Sequence, residues 1–150
     1  MMTKEFSIPK AEWGDGPWQT EVDREDFEHA GFPCLALRNH YGCWCGYVGV
    51  PAGHPAYQQA YTDVNVEVHG GLTYAGECSP PICHIPKPDQ SDDVWWLGFD
   101  CGHCFDLLPG FVAYERRMGF DLSKNEVYRD LAYVKAEIRE LADQLHEQKG

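Results

Sequence analysis

Val127, Leu131, Val134, Ile138, Leu141 and Leu145 recur near the C-terminus at alternating spacings of four and three residues. An α-helix turns once every 3.6 residues, so this spacing lines all six along one side of a helix. A helix with one apolar stripe folds stably only where something covers that stripe. Residues 123–148 are therefore predicted as a long C-terminal helix. Ser123 and Glu126 have the spacing of a capping box, and Leu122 with Val127 has that of a hydrophobic staple. The ordinary cover for such a stripe is the domain's own sheet, and a homodimer through the helix is the alternative.

The strands to provide that sheet can be read from residues 34–115. Cys34–Arg38 and Cys43–Val50 are apolar runs joined at Asn39, His40, Tyr41 and Gly42, a hairpin pattern. Val64, Val66 and Val68 alternate with Asn65, Glu67 and His69, the period of a half-buried strand. Gly70-Gly71 tolerates the positive φ of a tight turn, so Leu72–Gly76 is expected to return as its hairpin partner. In that register Glu67 and His69 share a face opposite the valines. Val94–Asp100 is a strongly apolar strand, and Cys78–Asp93, with four prolines, is an excursion from the sheet. Pro51–Tyr61 reads as a loop carrying His54. Residues 1–33 read as an irregular lead-in, with a short helix near Asp23–Ala30. At 150 residues the chain suits one α+β domain: a mainly antiparallel sheet packed against the C-terminal helix.

Charge narrows the function. The chain carries 12 Lys+Arg against 24 Asp+Glu, a net charge of −12. Residues 116–150 hold seven of each sign, so the whole excess lies in the first 115. Between Arg38 and Arg116 only Lys87 opposes nine carboxylates, and five of the seven histidines fall in the same stretch. Extended contact with nucleic-acid phosphates needs the opposite balance. A membrane partner is not expected, because no apolar run approaches the roughly 20 residues a spanning helix requires. The opening Met1–Glu5 has no apolar stretch behind its lysine, so a secretory leader is not expected and a cytoplasmic location is.

Seven cysteines lie at 34, 43, 45, 78, 83, 101 and 104. An odd count without a leader suggests reduced thiols. Cys101-Gly102-His103-Cys104 has the dithiol spacing of redox active sites, yet Asp100 before it would raise thiol pKa, and no proline follows Pro109 to sit beside it. Cys43-x-Cys45, Cys78-x4-Cys83-His84 and Cys101-x2-Cys104 each have the look of half a zinc ligand set, without a paired array.

Three blocks carry a resemblance: Gly46–Pro55 (GYVGVPAGHP), Val66–Gly76 (VEVHGGLTYAG) and Trp95–His103 (WWLGFDCGH) with Asp106 after it. Together with the tail Tyr128–Lys135 (YRDLAYVK), they resemble a family of small uncharacterised proteins encoded by bacteriophages and prophages, over about residues 43–145. The resemblance implies a phage accessory protein in a bacterial host cell and brings no established activity. Cys104 and the insert with Cys78, Cys83 and His84 depart from the family pattern.

The blocks supply a ligand and acid–base vocabulary. His69, Asp100, Cys101 and His103, meeting at one rim of the sheet, would hold zinc with an open position for water. Glu67 or Asp106 would serve as general base or orient a ligating histidine. The functions in view are thus a metal-dependent hydrolase of a small molecule, or an acidic protein that binds a host protein, including a defence component. Sequestration of a nucleotide signal is a third, with Arg116 and Arg117 as its phosphate contacts.

Overall fold

A computed structural model describes residues 8–83 and 93–148. Five strands form one antiparallel sheet in the order β1-β2-β3-β5-β4: β1 Arg24–His29, β2 Phe32–Arg38, β3 Trp44–Pro51, β4 Tyr74–Glu77 and β5 Val94–Asp100. Two helices follow, α1 Pro109–Arg117 and α2 Leu131–Glu147, and the architecture is α+β. No helix among the described residues is long and apolar enough to cross a membrane.

The expected β2–β3 hairpin and strand β5 are present, and the helix expected near Asp23–Ala30 is instead strand β1. Ala30 and Gly31 both take positive φ, 55° and 84°, between paired His29 and Phe32. Two positive-φ residues in a two-residue loop suit the twist of a hairpin, which overrides the helical reading of an acidic run. The charges along Arg24–Glu28 then lie on an edge strand, where they discourage pairing with another chain.

Helix α2 begins at Leu131, eight residues later than expected. Asp130 caps it, accepting a hydrogen bond from the Tyr133 amide at 2.8 Å. Ser123 and Glu126 instead form a local turn, with Asn125 at φ 74°. Leu122 and Val127 are exposed, so no staple forms. Val127 is held outside the helix by a parallel bridge to Asp106. The rest of the stripe behaves as its period requires: Val134, Ile138, Leu141 and Leu145 are fully buried against Phe32, Trp44, Val48 and Phe99 of the sheet. Gly46 admits this close approach, because a Cβ there would stand 2.5 Å from Phe99 and 2.6 Å from Ile138.

Val64, Val66 and Val68 do point alternately into the core, but their segment joins no ladder. Side chains of α2 and of its C-cap residue Gln148 bond its backbone instead: Gln144 bonds both the amide and carbonyl of Glu67, Gln148 donates to the Asn65 carbonyl, and Glu137 accepts from the His69 amide. The return segment pairs with β5 through β4, not with the valines.

The lead-in is tied to the body by Arg38, whose side chain is fully buried. Its guanidinium donates to Asp23, Glu21, the Tyr128 hydroxyl and the Trp18 carbonyl, and lies 4.8 Å from the Trp44 ring centre. Glu21 also accepts from the Leu131 amide at 2.7 Å, so the same network holds the first turn of α2.

Candidate functional site

The sheet ends at Asp100, and the chain turns back so that Asp106 reaches under His69. The Asp106 side chain is 1% exposed and takes three donors. Oδ2 accepts from His69 Nε2 at 2.7 Å and from the His103 amide at 3.1 Å, while Oδ1 accepts from Arg129 Nε at 3.0 Å. A buried carboxylate stays charged at tolerable cost only when its lone pairs are satisfied this way. The other imidazole nitrogen, Nδ1, lies 2.7 Å from the Tyr133 hydroxyl. With Nε2–H donating to the carboxylate, Nδ1 accepts from the phenol, giving the series Tyr133–His69–Asp106. Burial, followed by the nearby Glu137 carboxylate, raises the Tyr133 pKa, so the phenol keeps its proton as donor. The Arg129 guanidinium lies 5.0 Å from the Tyr133 ring centre and closes the cluster.

His103 flanks it, its ring centre 6.0 Å from that of His69. His103 Nε2 is 3.4 Å from Asp100 Oδ1, an ion-pair separation without hydrogen-bond geometry. Gly70 lies against this ring: a Cβ there would come within 2.2 Å of it, and φ is +69°. Asp100 also accepts from the Thr73 hydroxyl and the Gly102 amide, both at 2.9 Å.

Of the residues proposed from sequence, His69, Asp100, His103 and Asp106 gather here. Cys101 is buried in the core below, its pKa raised by burial and next by Asp106. Glu67 lies on the exposed side of its segment, and its backbone rather than its carboxylate is engaged. Among the described residues, no three His, Cys, Asp or Glu side chains are grouped to hold a metal ion. Both ring nitrogens of His69, expected as a zinc ligand, are engaged in hydrogen bonds. His84, one of the thiol-associated zinc candidates, lies outside the described residues. Cys78 and Cys83 are joined in a disulfide, which corrects the expectation that all thiols are reduced. His54, on the expected loop, is 5% exposed and structural: Nε2 donates to the Leu145 carbonyl at 2.8 Å, and Nδ1 accepts from the Ala56 amide.

Sequence reasoning missed Tyr133 and Arg129. They stand four apart, the spacing of neighbours on a helix face, within the tail block singled out above; that was the available signal.

The cluster also anchors the segment around it. Phe105, at φ 71°, turns outward beside Asp106 and is 64% exposed. The Val127 amide donates to the Phe105 carbonyl at 2.7 Å, and the Leu107 amide to the Val127 carbonyl at 2.8 Å. Phe105, Phe111, Met118, Phe120, Leu122 and Val127 are all exposed, six of the eight large apolar side chains so exposed among the described residues. Residues 105–129 carry four acids and four bases, so this apolar segment is neutral within a chain of net charge −12.

Comparison of the chain with protein-family models, curated proteins and solved structures yields no match.

Proposed function

We propose that this chain is a protein-binding domain. Its partner presents an apolar surface in a basic surround, and the docking segment is residues 105–127. The observation that carries the reading is the concentration of exposed apolar side chains in that one segment. Scattered exposed apolar residues are ordinary; a run of them rimmed by polar residues marks an interaction site. The acidic remainder of the chain selects the partner's charge, because complementary fields steer encounter and reject like-charged surfaces. The resemblance to phage proteins makes a protein of the bacterial host the expected partner.

The test is quantitative binding to a purified partner recovered by crosslinking from a bacterial lysate. Phe105→Ser with Leu122→Ser should weaken binding at least ten-fold while leaving the unfolding temperature unchanged. Raising salt should slow association of the wild type. A partner that binds the double variant as tightly overturns the reading, as does recovery only of a second copy of this chain.

A second reading rests on the Tyr133–His69–Asp106 series. A carboxylate that orients an imidazole toward a hydroxyl is the arrangement by which a proton is drawn from that hydroxyl. In this reading Asp106 orients the histidine, and the chain hydrolyses a small ester or amide without calling on a bound metal. Three cavities of about 300, 350 and 300 Å³ have no His69, Asp106 or Tyr133 in their walls, so this reading stands second. The nucleotide reading has less behind it: Arg116 and Arg117 line the first of these cavities, but are ion-paired to Asp121 and Glu12. Hydrolysis of p-nitrophenyl acetate faster than by Tyr133→Phe and His69→Ala would favour the enzyme; equal rates would remove it.

A further inference from the structure

Beyond β4 the chain makes a short strap, Cys78–Cys83, closed on itself by the disulfide. Successive residues of a strand point to opposite faces, so Leu35, Tyr47 and Trp96 form an apolar cluster on the side of the sheet away from α2. The strap reaches this side, where half-buried Ile82 packs on the cluster. Arg24 comes to it from β1, the far edge of the sheet, and donates to the Pro81 carbonyl at 2.8 Å and the Cys83 carbonyl at 2.7 Å. Strap and guanidinium together join the two edge strands across the apolar face.

The forces on the strap are nearly balanced. Ser79 and Ile82 exchange backbone bonds, the Cys83 amide donates to the Pro81 carbonyl, and Arg24 adds its two, five bonds in all. Fixing one residue's backbone costs about what one net hydrogen bond returns, so these bonds and Ile82 do no more than offset the ordering of the strap. The covalent link decides. Its two cysteines are five apart in sequence, too close for the ring to remove much entropy from the unfolded chain. The disulfide therefore governs the strap rather than the whole fold.

The bond is approachable from one side. Cys83 is 7% exposed, whereas half-buried Cys78 stands in the wall of a cavity of about 350 Å³. The same wall holds Tyr57, Trp95 and the carboxylates of Glu77 and Asp93, with no Lys or Arg among its described residues. These carboxylates repel an anionic thiol and favour one that carries its own positive charge.

We propose that Cys78–Cys83 is an exchange site for small neutral or cationic thiols, and that exchange there releases the strap from the apolar face. A dithiol is the reductant that completes the reaction. Its thiolate attacks the Cys78 sulfur, the Cys78–Cys83 bond breaks, and Cys83 leaves as a thiolate that takes up a proton. The second thiol of the reductant gives up its proton and attacks its own sulfur in the mixed disulfide, releasing Cys78 to be protonated. One protein disulfide becomes two thiols, and the dithiol becomes a disulfide. This exchange involves neither the docking segment nor the Asp106 cluster.

The experiment uses the full chain with Cys104→Ser, which removes the exposed thiol. Cysteamine and 2-mercaptoethanesulfonate are compared at equal thiolate concentration, each rate divided by its rate on 2-hydroxyethyl disulfide. Cysteamine should be several-fold faster on the protein, and Glu77→Gln with Asp93→Asn should bring the two together. Alkylation early in the cysteamine reaction, followed by peptide mapping, should find cysteamine on Cys78 and the alkyl group on Cys83. After full reduction by dithiothreitol, amide exchange should quicken at Ser79, Ile82 and Cys83 while the amides of α2 keep their protection. Cys78→Ser with Cys83→Ser should show the same pattern without reductant, at unchanged circular dichroism. The proposal is overturned by equal relative rates for the two thiols, by first attachment at Cys83, or by strap amides that stay protected after reduction. Loss of protection in α2 together with the strap also overturns it, because the disulfide would then hold the whole fold.

Discussion

Asp106→Asn isolates what the buried carboxylate contributes, because the side chain keeps its shape and loses only its charge and one acceptor. The favoured amide orientation places the carbonyl at the Oδ2 position, retaining the His69 and His103 bonds as neutral ones. The amide NH₂ then faces Arg129 Nε, donor to donor, where a 3.0 Å ion pair stood. Hydrogen bonds to charged groups contribute about 1.5–3 kcal/mol against about 0.5–1.5 for neutral pairs, so two weakened bonds cost about 2 kcal/mol together. Arg129 is 28% exposed on its side chain and can turn toward water, which limits the third loss to about 1 kcal/mol. The total is about 3 kcal/mol, or roughly 6–12 °C in unfolding temperature for a chain of this size. Urea denaturation should show this at unchanged slope. Amide exchange should quicken at Leu107 and Val127, whose bonds hold the docking segment to Asp106. A loss below about 0.5 kcal/mol would refute the view of Asp106 as the satisfied hub of the cluster.

Three further outcomes follow from the geometry. Arg38→Met should cost about 3–5 kcal/mol, because it leaves Glu21 and the Tyr128 hydroxyl without their buried cation; thermal unfolding measures it. Gly70→Ala should cost about 1–3 kcal/mol and shift the His103 ring resonances, since its Cβ would meet that ring. Gly71→Ala, with the same sign of φ and nothing within 4 Å, should carry only the smaller backbone penalty and leave His103 unmoved. The Ser123 hydroxyl and amide, then Arg116, hold the Asp121 carboxyl down to about 2. A depressed carboxyl stabilises its loop fully above the ordinary value of 3.8, and the contribution is lost as pH falls toward 2. An NMR titration of the Ser123 amide should therefore turn over near 2, and a midpoint at 3.8 would remove the argument.

The stripe on α2 was legible because burial against a sheet enforces a period that sequence displays directly. Its start was not, because Ser123-x-x-Glu126 and Asp130 are equally good local signals. What separates them is a tertiary event, the pairing of Val127 with Asp106. The same limit applies at Val64, Val66 and Val68. Their alternation reports correctly which side chains face the core, yet it cannot say that Gln144 and Gln148, rather than a neighbouring strand, bond the backbone. At the site, His69 and Asp106 were legible as chemistry-bearing residues but their relation was not. A metal and a hydrogen-bond network ask for the same residue types, and the partners that build the network, Tyr133 on α2 and Arg129 just before it, lie more than twenty residues away in sequence.

The charge map gains a physical meaning from these contacts. The C-terminal 35 residues are neutral overall, but several of their cations bond carboxylates of the acidic first 115: Arg117 with Glu12, Arg129 with Asp106 and Lys135 with Glu25. Each pair ties α1, α2 or the stretch between them to a segment distant in sequence. Cations used this way are poorly disposed to bind phosphate, and the acids left over keep the surface negative. Met118, Phe120, Leu122 and Val127 lie on the chain between the Arg117 and Arg129 clamps, and Phe105 adjoins Asp106, so the segment is held in place at several points while its apolar side chains remain uncovered. Ordering a flexible segment on binding would cost conformational entropy, and one already fixed to the fold avoids that cost. If the clamps serve this purpose, Arg129→Met should weaken partner binding through a slower association, with the apolar side chains untouched. An unchanged association rate alongside lowered stability would confine Arg129 to the fold.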